Sequence, residues 1–309
     1  MDGIRPPGTR IGPFEIEDTA GSGSSAVVYR ARLVSMFDRD DYPTRVALKL
    51  FTTLDDDQRA TVLNEFRHVR RHPSPYLATM YTPVEVGDEV GLVYELADYT
   101  LRDRLRSHGP LSGPDLEGLL HDLTMGLHAL HEQHTIHSDV KPANVLRVGD
   151  RWKLTDLGAA TRFEIGSDDT VAVLRAYNRP YLSPELARQL GDPATSGELL
   201  TRRSDDMWAL GITLFESATG VHPFVHADVR AATELHDVTI PARLYQTDGH
   251  LSVGAVIETC LDPIPERRWA SAVMLKGLLY PDEPAGTDRD RGAGSAAVGA
   301  AEPSPSAPS

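Results

Sequence analysis

The chain has 309 residues, 40% of them hydrophobic, enough for one large core or two lobes. Its net charge of −14 argues against a nucleic-acid-binding surface and against adsorption to anionic membranes. No apolar run reaches the roughly 18 residues of a membrane-spanning helix, and the lone Cys260 excludes an internal disulfide or a cysteine-based zinc site.

The start, MDGIRPPGTR, has no apolar stretch behind its charges, so no secretory signal is read and a cytoplasmic location is expected. After an extension over residues 1–11, GPFEIEDTA alternates, a Gly/Ser-rich turn follows, and AVVYRARLV and RVALKLF flank a polar stretch. This pattern predicts three antiparallel strands. Residues 55–70 read as a helix, with Asp55, Asp56 and Asp57 at its positive end and Val62, Phe66 and Val69 at helical spacing. GDEVGLVYELA predicts a strand ending near Ala97, which closes a first unit over 12–97.

From 98 to 280 the character changes to long helices. Leu116, Leu119, Leu120, Leu123, Leu127 and Leu130 form one apolar stripe, with Ser112 and Pro114 at its start. MWALGITLFESATG is apolar almost all round, as a helix buried inside a lobe must be. Residues 281–309 are rich in Pro, Ala, Gly and Ser without periodicity, which predicts a disordered tail. His128, His131 and His134 lack the spacing of a zinc-protease pair and are read as a polar helix face.

The chemistry concentrates in HSDVKPANVLRVGDRWKLTDLG, residues 137–158. Phosphoryl transfer from a nucleotide needs a carboxylate facing the acceptor hydroxyl, a cation near the migrating group, and oxygen ligands for magnesium. Asp139, Lys141, and the pair Asn144 and Asp156 supply them in that order. Only four lysines occur among 31 basic residues, so a retained lysine is informative. Lys49 ends VALK on the third strand, and Glu65 on the following helix is placed to fix its ammonium. The turn Gly21, Ser22, Gly23 lets backbone amides approach phosphate oxygens, and Val28 is placed to lie against an adenine ring.

These ordered motifs resemble the eukaryotic-type Ser/Thr protein kinase family, as found in bacteria, over roughly residues 8–280. The resemblance implies an α+β, bilobal fold with a small antiparallel β-rich lobe carrying one helix and a larger, mainly helical lobe. It implies ATP with magnesium, or manganese in its place, and a protein substrate with a Ser or Thr acceptor, with no nucleic-acid or membrane partner. Ala47 joins the nucleotide pocket, Tyr94 guards the back of it, and the backbone of Glu95 and Ala97 binds adenine. SPE (Ser183, Pro184, Glu185) closes the activation segment, Asp206 braces the catalytic loop, and Arg268 pairs with Glu185.

Several positions depart from the family pattern. Ala26 replaces the third glycine of the turn, and Ser138 replaces the arginine that would read a phosphate on the activation segment. Either activation does without that phosphate, or another arginine such as Arg162 or Arg175 reads it. Asn178 stands where a threonine would bridge Asp139 and Lys141. The link from Glu65 to HPSPYL is about two residues short of the family's spacing. Thr170, mid-segment, is the expected autophosphorylation site, beside Thr161, Ser167 and Ser183. Two other readings compete: a nucleotide-binding pseudokinase or scaffold, and a small-molecule phosphotransferase of the antibiotic-kinase type, which SPE and Lys141 oppose.

Overall fold

Alternation along the first third of the chain produces a six-stranded antiparallel sheet, because a strand sends successive side chains to opposite faces. In the computed structural model the residues described are 4–22, 26–34, 43–51, 54, 59, 62–63, 66, 70, 73–87, 89–162, 172–174, 179–191, 199–224, 238–246 and 251–282; of 172–174, 179 and 191 only the backbone is described. The strands are β1 (Arg10–Ile11), β2 (Phe14–Ser22), β3 (Ala26–Leu33), β4 (Arg45–Phe51), β5 (Met80–Val86) and β6 (Glu89–Glu95), in the order β1-β2-β3-β4-β6-β5.

Register divides this sheet cleanly. Tyr29, Ala31, Val46, Leu48, Leu50 and Val93 fill one face and pack with Phe14 and Ile16 into a separate small core. On the other face Val28 lies opposite Lys49, Ala47 opposite Tyr94, and Lys49 opposite Leu92. A shift of one residue in any strand would exchange the two faces, so the apolar pattern fixes the register. The described positions of the expected 55–70 helix (59, 62, 63, 66 and 70) are helical. Glu65, Gly23, Ser167, Thr170, Arg175, Asn178 and the tail beyond 282 lie outside the described residues.

Beyond the short strand β7 (Tyr99–Thr100) the fold is mainly helical. Helix α1 (Leu101–His108) opens on Thr100, whose hydroxyl caps the Asp103 amide at 3.1 Å. Helix α2 (Gly113–Glu132) begins after Ser112 and buries all six leucines of the predicted stripe. Strands β8 (Thr135–Ile136), β9 (Val145–Val148) and β10 (Arg151–Leu154) follow, with β9 and β10 joined as a hairpin through Gly149 at φ 56°. Beyond β11 (Thr161–Arg162) and β12 (Ala172–Leu174) come α3 (Pro184–Gly191) and β13 (Leu199–Thr201). The chain then forms α4 (Arg203–Thr219), α5 (Val253–Cys260) and α6 (Ala272–Leu279).

Helix α4 is the hub of this lobe: Met207, Trp208, Leu210, Ile212 and Leu214 are all fully buried. It starts where Asp205 Oδ2 accepts the Arg202 amide at 2.7 Å and stops at Gly220, whose φ of 80° suits a residue without Cβ. The two lobes are stitched by backbone as well as side chains. Leu154 of β10 donates to the Tyr76 carbonyl at 2.9 Å and accepts from the Ala78 amide at 2.8 Å.

The histidine expectation is corrected here. His128 and His131 are buried rather than lining a polar face, because α2 packs against α6 and α4 along that side. His134 lies beyond the helix in a left-handed backbone conformation, φ 58°.

Candidate active site

The loop between β8 and β9 holds the residues expected to be catalytic, and its shape is imposed by one buried carboxylate. Asp206, at the start of α4, accepts from two successive amides, His137 N and Ser138 N, each at 2.8 Å. That grip holds Ser138 at φ 68°, a conformation L-residues avoid unless the surroundings enforce it. His131 in turn positions Asp206: its Nδ1 accepts the Ala272 amide at 3.0 Å, so Nε2 carries the ring hydrogen toward Asp206 Oδ2 at 2.9 Å. Thus α2, α4 and α6 jointly aim the loop.

Asp139 is the result of that aiming. Its Oδ2 accepts from Lys141 Nζ at 2.6 Å and from Asn144 Nδ2 at 2.8 Å. Asn144 Nδ2 also reaches the Asp139 carbonyl at 2.9 Å, so its amide oxygen is the free donor atom for a hard cation. Asp139 Oδ1 has no hydrogen-bond partner among the described residues. One carboxylate oxygen is held; the other is available to accept a proton.

Asp156 sits at the end of β10's continuation with φ 64° and ψ 63°. Its Oδ1 pairs with Lys49 Nζ at 2.7 Å, which joins the β-rich lobe to the loop lobe across the cleft. Burial pushes the Asp156 carboxyl up, but the Lys49 ammonium and its hydrogen bond, helped by His137 and Lys141, more than offset this and hold it below the usual carboxylate range. Asp156 is therefore an anion at neutral pH.

The structure brings Val28, Ala47, Lys49 and Tyr94 onto one sheet face above Asp139, Lys141, Asn144 and Asp156. Tyr94 is buried. Gly21 and Ser22 lie at the exposed end of β2, opposite Val28 and Val27. A Cβ built on Gly21 meets nothing within 4 Å, so the fold itself does not demand glycine there. The Glu95 amide donates to the Thr79 carbonyl at 2.9 Å, and Ala97 is half-buried in the following link.

A family model described as the protein kinase domain matches residues 14–277, through the sheet, the loop and the last helix. The chain belongs to the protein kinase family. The chain is 31% identical over 231 residues to serine/threonine-protein kinase PrkC of Bacillus subtilis (strain 168), covering 70% of this chain and 32% of that protein. It is 27% identical over 274 residues to serine/threonine-protein kinase PknB of Mycobacterium leprae (strain TN), covering 86% and 42% respectively. It is 30% identical over 285 residues to serine/threonine-protein kinase PLK4 of Nematostella vectensis, covering 88% and 26%. The chain thus spans well under half the length of these relatives.

The SPE triplet is held as its sequence anticipates. Arg268 holds Glu185 with two parallel bonds, 2.6 and 2.7 Å, and its guanidinium lies 4.9 Å from the Trp208 ring centroid. Two pairings escaped the sequence reading. Lys153 of β10 donates to both oxygens of Glu95 at 2.8 Å, tying the link between the lobes to the loop hairpin. Ser183 Oγ donates to Asp205 Oδ1 at 2.5 Å. The scarcity of lysine was a usable signal for the first pair, and the doubled Asp205–Asp206 for the second. No helix among the described residues is long and apolar enough to cross a membrane.

Proposed function

We propose that this kinase transfers the γ-phosphoryl group of ATP to Ser or Thr hydroxyls of a protein substrate, itself included, in the cytoplasm. The single observation that carries the reading is Asp139: one oxygen fixed by Lys141 and Asn144, the other buried and unpartnered. Asp139 Oδ1 accepts the acceptor hydroxyl's proton as the new O–P bond forms and the bond to the leaving ADP oxygen breaks. Lys141, 2.6 Å from the same carboxylate, offsets negative charge on the transferred group. Lys49 steers the nucleotide phosphates, with Glu65 as its proposed partner.

The donor set fits a hard divalent cation. Asn144 offers an amide oxygen and Asp156 an ionised carboxylate, and no cluster of three or more His, Cys, Asp or Glu exists among the described residues. Two protein oxygens, with the remaining ligands from phosphate and water, is how magnesium is usually bound. Magnesium, or manganese, when bound supplies electrostatic stabilisation of the phosphates. Gly21, Ser22 and Gly23 would cover those phosphates, while Val28, Ala47, Tyr94, Glu95 and Ala97 would enclose the adenine.

The test is transfer of labelled phosphate from ATP with magnesium to a basic protein substrate. Asp139→Ala is expected to lower turnover by about 10²–10⁴-fold while ATP with magnesium still raises the melting temperature. Undiminished turnover in that variant removes Asp139 from the mechanism. Absence of transfer by the wild type, with nucleotide binding intact, favours the scaffold reading.

A further inference from the structure

The activation segment has an unusual neighbour. Strand β12 (Ala172–Leu174) lies within it and pairs antiparallel with β13 (Leu199–Thr201), the short strand between α3 and α4. The register is Ala172 with Thr201, Val173 with Leu200, and Leu174 with Leu199.

Three successive residues of β13 are fixed from elsewhere. Leu199 is buried with Leu182 and Leu186 in a small apolar cluster against which Leu190 packs. At Leu200 the Gln189 carboxamide of α3 acts as a substitute neighbouring strand: Oε1 accepts the Leu200 amide at 2.7 Å and Nε2 donates to its carbonyl at 3.1 Å. Thr201 Oγ1 donates to Asp205 Oδ2 at 3.1 Å, and the same carboxylate accepts the Arg202 amide at 2.7 Å and Ser183 Oγ at 2.5 Å. A strand so anchored, with its other edge facing the segment, is a pairing template.

The catalytic loop offers the segment little in comparison. Position 138 is uncharged and its Oγ is buried with no hydrogen-bond partner among the described residues. The loop's one lysine, Lys141, is engaged by Asp139. Residues 137–144 hold no arginine and their one lysine is paired, so a phosphate on the segment meets no free lysine or arginine there.

We propose that β13 is a built-in clamp that places the activation segment by backbone pairing, so that this kinase works without a phosphate on that segment. Gln189 and Asp205 are positioning residues: they act through β13 on the segment and touch no reacting atom. The pairing is between neutral backbone groups, so salt leaves it largely unscreened, unlike a phosphate–arginine contact. This inference rests on the kinase reading above.

The experiment uses the full chain in two arms. Protein stripped of phosphate by a phosphatase, which is then removed, should phosphorylate a basic protein substrate at an initial rate within about two-fold of untreated protein and without a lag. In the second arm Gln189→Ala, which keeps a good helix former in α3, and Leu200→Pro, which deletes the amide bound by Gln189 at a half-exposed position, are followed by hydrogen exchange. Exchange at the amides of Ala172 and Leu174, which face β13, should accelerate by about tenfold or more. The kcat/KM for the protein substrate should fall about tenfold, while KM for ATP stays within about two-fold. Loss of activity on dephosphorylation, regained on rephosphorylation, overturns the proposal, as does unchanged exchange at Ala172 and Leu174 in both variants. If the wild type transfers no phosphate at all, the kinase reading fails instead, and the exchange arm still decides whether the clamp exists.

Discussion

At the residue scale, buried charge is concentrated where the activation segment meets α4. Burial and the neighbouring Glu185 charge push Asp205 up to about 7, outweighing the hydrogen bonds from Ser183 and Arg202 that favour the anion. The folded carboxyl thus keeps its proton to higher pH than the unfolded one, whose ordinary value is 3.8. Its contribution to stability is complete below the unfolded value and is lost as pH rises toward 7. Melting curves should show the wild type losing stability relative to Asp205→Asn between about pH 4 and 7, with a constant difference above that. Glu185 moves the opposite way, because Arg268 outweighs its burial. The Arg268 side chain is fully buried, so Arg268→Ala strands the Glu185 carboxylate and should cost about 3–5 kcal/mol in urea denaturation. The Arg268–Glu185 pair was legible in the sequence through SPE and PERRWAS. The Ser183–Asp205 bond was not, since nothing in either local motif states that the two positions meet.

At the element scale, the close approach of α4 and α5 depends on Gly211. A Cβ there would come within 2.6 Å of Cys260 Cβ and 3.0 Å of Leu261 Cδ2. Both neighbours are buried, so neither can step aside without opening the core. Gly211→Ala should destabilise by about 1–3 kcal/mol, the usual range for overpacking, despite the better helix propensity of alanine; denaturant midpoints at equal m would show it. Helices α2 and α4 and the antiparallel strands were readable because their periods, 3.6 and 2, are written in the side-chain order. The two-residue and three-residue strands β7, β8, β11, β12 and β13 were not: such stretches are too short to show a period, and they exist only because a partner strand comes alongside.

At the scale of the whole molecule, two ion pairs cross between the lobes beside the shared apolar core. Lys49–Asp156 crosses at the site, and Lys153–Glu95 crosses at the link, where Glu95 Oε1 also accepts the Thr79 amide at 2.6 Å. Both partners of the second pair are largely shielded, at 12% and 13% side-chain exposure, so solvent screens it weakly. Lys153→Ala should therefore lower stability by about 2 kcal/mol. A double-mutant cycle with Glu95→Ala should return a coupling above about 1 kcal/mol if the two side chains act as a pair. Changes in nucleotide affinity in the same variants would report the freedom of the lobes to close.

The amino-acid order alone determined the class of fold, the two faces of the sheet, the buried helices and the family to which the chain belongs. Each of those is encoded either in a repeating period or in residues close together along the chain. Only the tertiary structure decided that His131 is a buried brace for Asp206 rather than a surface histidine, that Lys153 secures the link, and that β13 meets the activation segment. Those facts join residues 75, 58 and 25 to 29 positions apart. Contacts over such separations are selected by the packing of the whole core, and no local pattern carries them.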